Sequence, residues 1–208
     1  MRLQLALDML SSDAALQVAK AVEQYVDIIE IGTPLIKHEG LGVVHLLRRH
    51  FSQKAILVDL KTMDVGQYEA DFAFAAGADL VTVLGVADDA TIAGAVASAS
   101  AHGKSVVVDL INVADKAARA RQAQALGAQF VGVHSGIDQQ KQGHSPLIDL
   151  QAVREAVSIG VLVAGGIRLE TLPEVLRLNP DIVVVGGAIT GAGDPAAAAK
   201  AIREAIGR

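Results

Sequence analysis

The chain has 208 residues and a formal charge of −5; half of the residues are hydrophobic, 3% are aromatic and none is cysteine. That length fits one domain of the larger kind, and an acidic balance without a local Lys/Arg cluster speaks against nucleic acid or an anionic membrane as partner. Without cysteine there is no disulfide framework, thiolate metal site or cysteine nucleophile, which suits a cytoplasmic protein.

Short apolar runs alternate with amphipathic segments along the whole chain. In order, strands are predicted at 3–8, 28–32, 55–60, 80–84, 105–110, 130–134, 161–164 and 182–186, with successive starts 21 to 31 residues apart. Residues 1–10 already read as a strand, not as a leader, and no apolar run nears the ~20 residues of a membrane span. The segments between strands carry helical spacing, as in Ala15-Val18-Ala19-Val22 and Ile92-Ala95-Val96-Ala99. A phrase precedes several strands: Gly77-Ala78-Asp79, Gly127-Ala128-Gln129 and, more loosely, Asn179-Pro180-Asp181. The glycine ends a helix and the next apolar run opens a strand. Eight β–α units with right-handed crossovers close most simply into a single α/β domain over 1–208, a (β/α)8 TIM barrel. A doubly wound open sheet is the alternative, but Met9-Leu10-Ser11-Ser12 stands where its glycine-rich turn belongs.

In such a barrel the C-terminal strand ends form the active-site face. Asp8, Glu30, Asp59 with Lys61, Asp109 and His134 finish five of the first six predicted runs. Side chains two apart on a strand share a face, so Asp59 and Lys61 project together, with Asp64 three residues later at the start of a helix. An acid–lysine–acid cluster can bind a cation, keep a lysine charged and stabilise a developing anion. The plainer alternative is a strand-end salt bridge with Asp64 as helix N-cap. The concentration of charge on one barrel end favours a catalytic cluster. Glu30 is buried by its context, Ile28-Ile29-Glu30-Ile31-Gly32, where an unpaired carboxylate is costly and a metal or lysine would relieve it. His134 is placed to shuttle protons.

The last two strands end in Gly165-Gly166 and Gly186-Gly187. Paired glycines let backbone N–H groups approach an anion, and the loops after strands seven and eight are the frequent phosphate site of this barrel. Arg168 follows and can add charge. His45 and His50 read as solvated positions on an amphipathic helix, and His38 as a mouth-side loop residue within reach of substrate.

Asp59-x-Lys61-x-x-Asp64 resembles the signature of the orotidine 5′-monophosphate decarboxylase superfamily of ribulose-phosphate-binding barrels. Tyr25–His38 (YVDIIEIGTPLIKH), Val58–Asp64 (VDLKTMD) and Val108–Val113 (VDLINV) bring it nearer to the 3-hexulose-6-phosphate synthase family, over essentially the whole chain. Leu5-Ala6-Leu7-Asp8, Gly132-Val133-His134 and Ala164-Gly165-Gly166-Ile167 add to the likeness. The related 3-keto-L-gulonate-6-phosphate decarboxylases usually carry arginine three residues after the histidine, where this chain has Ile137.

That resemblance implies a Mg²⁺-dependent aldol reaction joining formaldehyde to D-ribulose 5-phosphate through a 1,2-enediolate. Glu30 and Asp59 would ligate the metal, Lys61 would stabilise the enediolate, and His134 would transfer a proton. Asp8 and Asp109 would take substrate hydroxyls, and Gly165, Gly166, Gly186 and Gly187 the phosphate. The resemblance also implies a homodimer in which Asp64 reaches the neighbouring subunit's site. Within the same scaffold, a sister decarboxylase or epimerase is the alternative, and a sugar-phosphate-binding barrel without turnover a remote one.

Overall fold

A computed structural model describes residues 1–207. Eight parallel strands close in sequence order into a barrel: β1 (Arg2–Leu7), β2 (Ile28–Ile31), β3 (Ala55–Thr62), β4 (Leu80–Leu84), β5 (Ser105–Asp109), β6 (Phe130–His134), β7 (Gly160–Ala164) and β8 (Ile182–Val185). The helices are α1 (Ser12–Val22), α2 (Thr33–Glu39), α3 (Gly42–His50), α4 (Gly66–Ala76), α5 (Asp89–His102) and α6 (Lys116–Ala125). They continue with α7 (Ile137–Lys141), α8 (Leu147–Ala156), α9 (Leu172–Arg177), α10 (Gly187–Thr190) and α11 (Pro195–Ile206). This is the predicted (β/α)8 architecture. Residue 208, the last of the predicted domain, lies outside the described residues. Among these helices none is long and apolar enough to cross a membrane.

The strands are apolar on both faces because both are covered. Ala6, Ile28, Leu57, Leu80, Val107, Leu162, Ile182 and Val184 fill the barrel interior. The alternate residues, such as Leu5, Ile29, Val58, Val81 and Val183, pack outward under the helices. With so few aromatics, this core is built from branched aliphatic layers, the usual filling of such barrels.

The repeated phrase before the even strands has a structural meaning. Asp27, Asp79, Gln129 and Asp181 each accept a hydrogen bond from a backbone N–H of the preceding strand, at Leu3, Ile56, Val106 and Val161, over 2.7 to 2.9 Å. The three aspartates also hold cations: Arg203 on Asp27, Arg48 and Lys104 on Asp79, and Arg154 on Asp181. Four equivalent clamps thus close the N-terminal end of the barrel, the end that serves stability, and leave the opposite end for chemistry.

Strand boundaries differ from the prediction at the functional end. β1 stops at Leu7, so Asp8 opens the following loop, and β3 runs two residues further, through Lys61 to Thr62. The extension arises from a bulge: Val58 pairs with Val81 and Thr62 with Val83, so the β3 ladder skips and then resumes. Lys61 lies in that bulge with φ 48, a left-handed backbone uncommon for a residue other than glycine.

Candidate active site

At the C-terminal strand ends a cavity of about 730 Å³ opens to solvent. It is lined by Asp8, Glu30, Asp59, Lys61, Asp109, His134, Gly165, Gly166, Gly186 and Gly187, ten residues from seven strands and the turns that follow them. Arg168 and Ile137 stand on its rim, both largely exposed.

Lys61 is the centre of the polar network. Its Nζ lies 2.8 and 3.1 Å from the two carboxylate oxygens of Asp59 and 3.0 Å from Oδ2 of Asp109. Burial opposes its charge, but Asp109 and Asp59 outweigh that and hold the ammonium well above its ordinary range. Asp109 accepts the Ile111 N–H through Oδ1 at 2.9 Å and meets His134 Nδ1 through Oδ2 at 3.0 Å. Burial raises its carboxyl, yet the bond and charge of His134, then Lys61 and the Ile111 amide, bring it down to about 2.

Asp59 is fully engaged. Oδ1 accepts from Thr82 at 2.7 Å and Oδ2 from Thr33 at 2.6 Å, in addition to the lysine. Neither threonine stands out in the sequence. Thr33 lies inside the Tyr25–His38 string without being singled out there, and Thr82 is the single polar residue of Leu80-Val81-Thr82-Val83-Leu84. Gln4 is equally silent there, although it shares the period-two face of Ala6 and Asp8, which directs it into the barrel.

Gln4 donates its amide to Glu30 Oε2 at 2.6 Å. Glu30 is therefore relieved by an amide, not by a lysine. Desolvation, then the neighbouring Asp59 and Asp8 carboxylates, push its carboxyl up to about 8 against the Gln4 bond. Asp8 is raised for the same reasons, burial first and Asp59 second. It sits against β2 and β8, where a Cβ on Gly32 would stand 2.1 Å from its Oδ1, so only glycine leaves room for it.

Two expected residues lie elsewhere. Asp64 does not line the cavity; it is exposed and its Oδ1 accepts the Val65 N–H at 2.7 Å. It does not cap α4 either, whose N-cap is Val65 with φ 49 and no side-chain bond. Gly66, which follows, packs closely: a Cβ there would meet the Thr91 carbonyl at 2.0 Å, where α4 docks on α5. His38 is no loop residue: Thr33 and Pro34 open α2 immediately after Gly32, and His38 is exposed on that helix against Glu39, away from the cavity. His45 and His50 are exposed on α3 as expected.

The glycines form a cradle. Gly165 has φ 109 and Gly166 φ 67, conformations that L side chains rarely adopt, and a Cβ on Gly165 would stand 2.3 Å from the Ser135 carbonyl. Gly186 caps the short helix α10, and nothing lies within 4 Å of a Cβ at Gly187.

No group of three or more carboxylate or imidazole side chains among the described residues is arranged to hold a metal ion. The donors nevertheless suit a hard cation. Burial and then the neighbouring Asp59 carboxylate raise the proton affinity of Asp8 and Glu30, and Gln4 Oε1 is buried with no hydrogen-bond partner among the described residues. Oxygen-only donors with uncompensated negative charge are what Mg²⁺ takes.

A barrel with an acid–lysine–acid network at its C-terminal face beside a diglycine cradle defines an enzyme class built for anionic intermediates of phosphorylated substrates. Comparison narrows the class: residues 1–202 match the model of the Orotidine 5'-phosphate decarboxylase / HUMPS family, and the chain belongs to that family. It is 54% identical to a 3-hexulose-6-phosphate synthase of Mycobacterium gastri, covering 99% of this chain and 100% of that protein. The crystal structure of 3-hexulose-6-phosphate synthase from Salmonella typhimurium superposes with a TM-score of 0.97 at 42% identity, over 99% of this chain and 98% of that one. A crystal structure of 3-keto-L-gulonate-6-phosphate decarboxylase from Vibrio cholerae is more distant at 28% identity, with a TM-score of 0.85 over 99% and 96% of the two chains.

Proposed function

We propose that the chain is a 3-hexulose-6-phosphate synthase, a lyase that condenses formaldehyde with D-ribulose 5-phosphate by an aldol reaction. The observation that carries this reading is the Lys61 ammonium fixed between Asp59 and Asp109, with His134 on the same Asp109 oxygen. The names of the relatives at high identity support it.

The chemistry asks for four things, and the chain offers each. The backbone amides of Gly165, Gly166, Gly186 and Gly187 anchor the phosphate, and Arg168 adds charge at the rim. Asp8 and Asp109 accept substrate hydroxyls. Removal of the C1 proton of the bound ketose leaves a 1,2-enediolate, and Lys61 stabilises its oxygen as the negative charge develops. His134 carries the proton. C1 then attacks the formaldehyde carbon, the carbonyl π bond breaks, and the new alkoxide takes up a proton to give 3-hexulose 6-phosphate. The steps run equally in reverse.

Glu30 and Asp59 would hold Mg²⁺, with the orphaned Gln4 oxygen beside them. Bound there, the metal supplies Lewis-acid stabilisation of oxyanions. Glu30 is the more available ligand, since Asp59 already accepts from Lys61, Thr33 and Thr82.

A homodimer with shared sites also follows from this reading. Asp64 faces away from its own cavity, and Met63, Val65, Tyr68 and Phe72 beside it are about half exposed or more. Val65, Tyr68 and Phe72 border a shallow apolar groove between α2 and α4, formed with Ile36, Leu41 and Leu60. A second copy seated there would cover the groove and receive Asp64. A reaction between two small soluble metabolites suits a cytoplasmic protein.

The test is product analysis with two substrate sets. Ribulose 5-phosphate plus formaldehyde should give a hexulose phosphate. A β-keto-acid sugar phosphate should be turned over weakly, because the rim position three residues after His134 is Ile137 and offers no cation. Efficient decarboxylation without condensation would reverse the assignment.

A further inference from the structure

Thr82 occupies the centre of β4, in phase with the inward-facing Leu80, and is buried at 6% exposure. Its hydroxyl makes two bonds of opposite sense: it donates to Asp59 Oδ1 at 2.7 Å and accepts the Lys61 N–H at 2.9 Å. A hydroxyl has one proton to give and lone pairs to receive, so both bonds are made at once.

The second bond answers a need created by the bulge. Four steps along β3, from Val58 to Thr62, match two steps along β4, from Val81 to Val83. The backbone N–H of Lys61 is left out of the ladder there, and a buried N–H without a partner is costly. Its left-handed backbone, with φ 48, is strained for a residue with a Cβ. Such a conformation persists only where surrounding groups fix it, and Thr82 is the group bonded to it. The same hydroxyl orients the carboxylate that grips the Lys61 ammonium. One side chain therefore ties the backbone and, through Asp59, the side-chain end of the same lysine.

We propose that Thr82 is a positioning residue, whose hydroxyl locks Asp59 and the Lys61 backbone into a single unit that aims the ammonium into the cavity. For its kinetic readout this rests on the function proposed above; for its structural readout it does not. Valine matches threonine in shape and strand preference and exchanges only the hydroxyl, for a methyl group.

The experiment compares Thr82→Val and Thr82→Ser in the full chain, reading kcat, KM and hydrogen exchange at the Lys61 amide. Thr82→Val should lower kcat about 100-fold with KM for the sugar phosphate within about threefold, since a misplaced catalytic group costs that much. Thr82→Ser should return kcat to within about threefold of the parent. The Lys61 amide should exchange at least about tenfold faster in the valine variant and at the parental rate in the serine variant. A folded Thr82→Val protein with near-parental kcat, or with unchanged Lys61 exchange, overturns the proposal. If the parent shows no synthase activity, the functional reading fails, and Lys61 exchange alone decides for or against Thr82. Thr82→Ala is read in the same way should the valine variant not fold.

Discussion

His134 Nδ1 stands 3.0 Å from Oδ2 of Asp109, the same oxygen that receives the Lys61 ammonium at 3.0 Å. One carboxylate oxygen thereby couples the proposed proton carrier to the proposed anion-stabilising cation. With Nδ1 committed to Asp109, the other ring nitrogen is the one free to exchange protons with substrate.

Asp109→Asn tests that coupling. An amide cannot accept from the Ile111 N–H on one side and from both Lys61 and His134 on the other, so one contact becomes donor against donor. We expect kcat to fall about 10²–10³-fold. The stability profile should change too. The Asp109 carboxyl is at about 2 in the fold against an ordinary 3.8, so its contribution is complete above pH 3.8 and is lost as pH falls through 2. Acid unfolding of Asp109→Asn should lack that component, and an unchanged acid limb with near-parental kcat would remove Asp109 from this role.

Glu30 has the opposite sign. Its carboxyl is at about 8 in the fold against an ordinary 4.5, so the folded state binds the extra proton and stability falls as pH rises from 4.5 to 8. Glu30→Gln should flatten that slope in metal-free buffer. Added Mg²⁺ should restore the parent's stability at pH 8 and leave the variant unmoved, because the cation replaces the proton on Glu30. Denaturation midpoints at the two ends of this window measure both effects; parallel slopes in parent and variant would place the metal elsewhere.

The glycine cradle separates conformational strain from ligand contact. A Cβ at Gly187 meets nothing within 4 Å, whereas one at Gly165 would collide with Ser135 at a positive φ of 109. Gly187→Ala should leave the thermal midpoint alone and raise KM for the phosphorylated sugar about tenfold. Gly165→Ala should lose stability by roughly 1–3 kcal/mol. Calorimetry and steady-state kinetics check the pair, and an unaltered KM in Gly187→Ala would move the phosphate away from this loop.

Asp64 and Lys61 belong to different sites if the dimer is shared. In the proposed shared-site dimer, Lys61→Ala would remove the cation that stabilises the intermediate and Asp64→Ala the acid lent to the neighbour, so each homodimer should be inactive. Mixing the two after dissociation should regain up to about a quarter of parental activity, since half of the dimers are hybrids with one intact site of two. Verified hybrids without activity would confine Asp64 to its own subunit.

Much of this is legible in the chain. The even spacing of Val/Ile/Leu runs follows from parallel strands buried on both faces, and the barrel comes with it. Asp8, Glu30, Asp59, Lys61, Asp109 and His134 are readable because acids ending apolar strands need a reason. Gln4 and Thr82 are not, because a single neutral polar residue carries no motif and gains meaning only from the register of its neighbours; Thr33 lies within the Tyr25–His38 string, but nothing there marks its hydroxyl as a partner of Asp59. Nor does a lysine announce a left-handed backbone; the bulge in β3 imposes it. The direction of Asp64 is hidden for a similar reason: nothing in the sequence marks the left-handed backbone of Val65, whose N–H holds the Asp64 carboxylate. His38 is misplaced by the sequence because Pro34 reads as a loop residue, whereas it sits in the first turn of α2.

The most direct measurement is formaldehyde consumption by the purified protein with ribulose 5-phosphate, first with Mg²⁺ and then with EDTA. Loss of formaldehyde only when sugar phosphate and metal are both present is the predicted result. No consumption by folded protein supplied with Mg²⁺ would contradict it and transfer the barrel's acid–lysine site to another sugar-phosphate reaction.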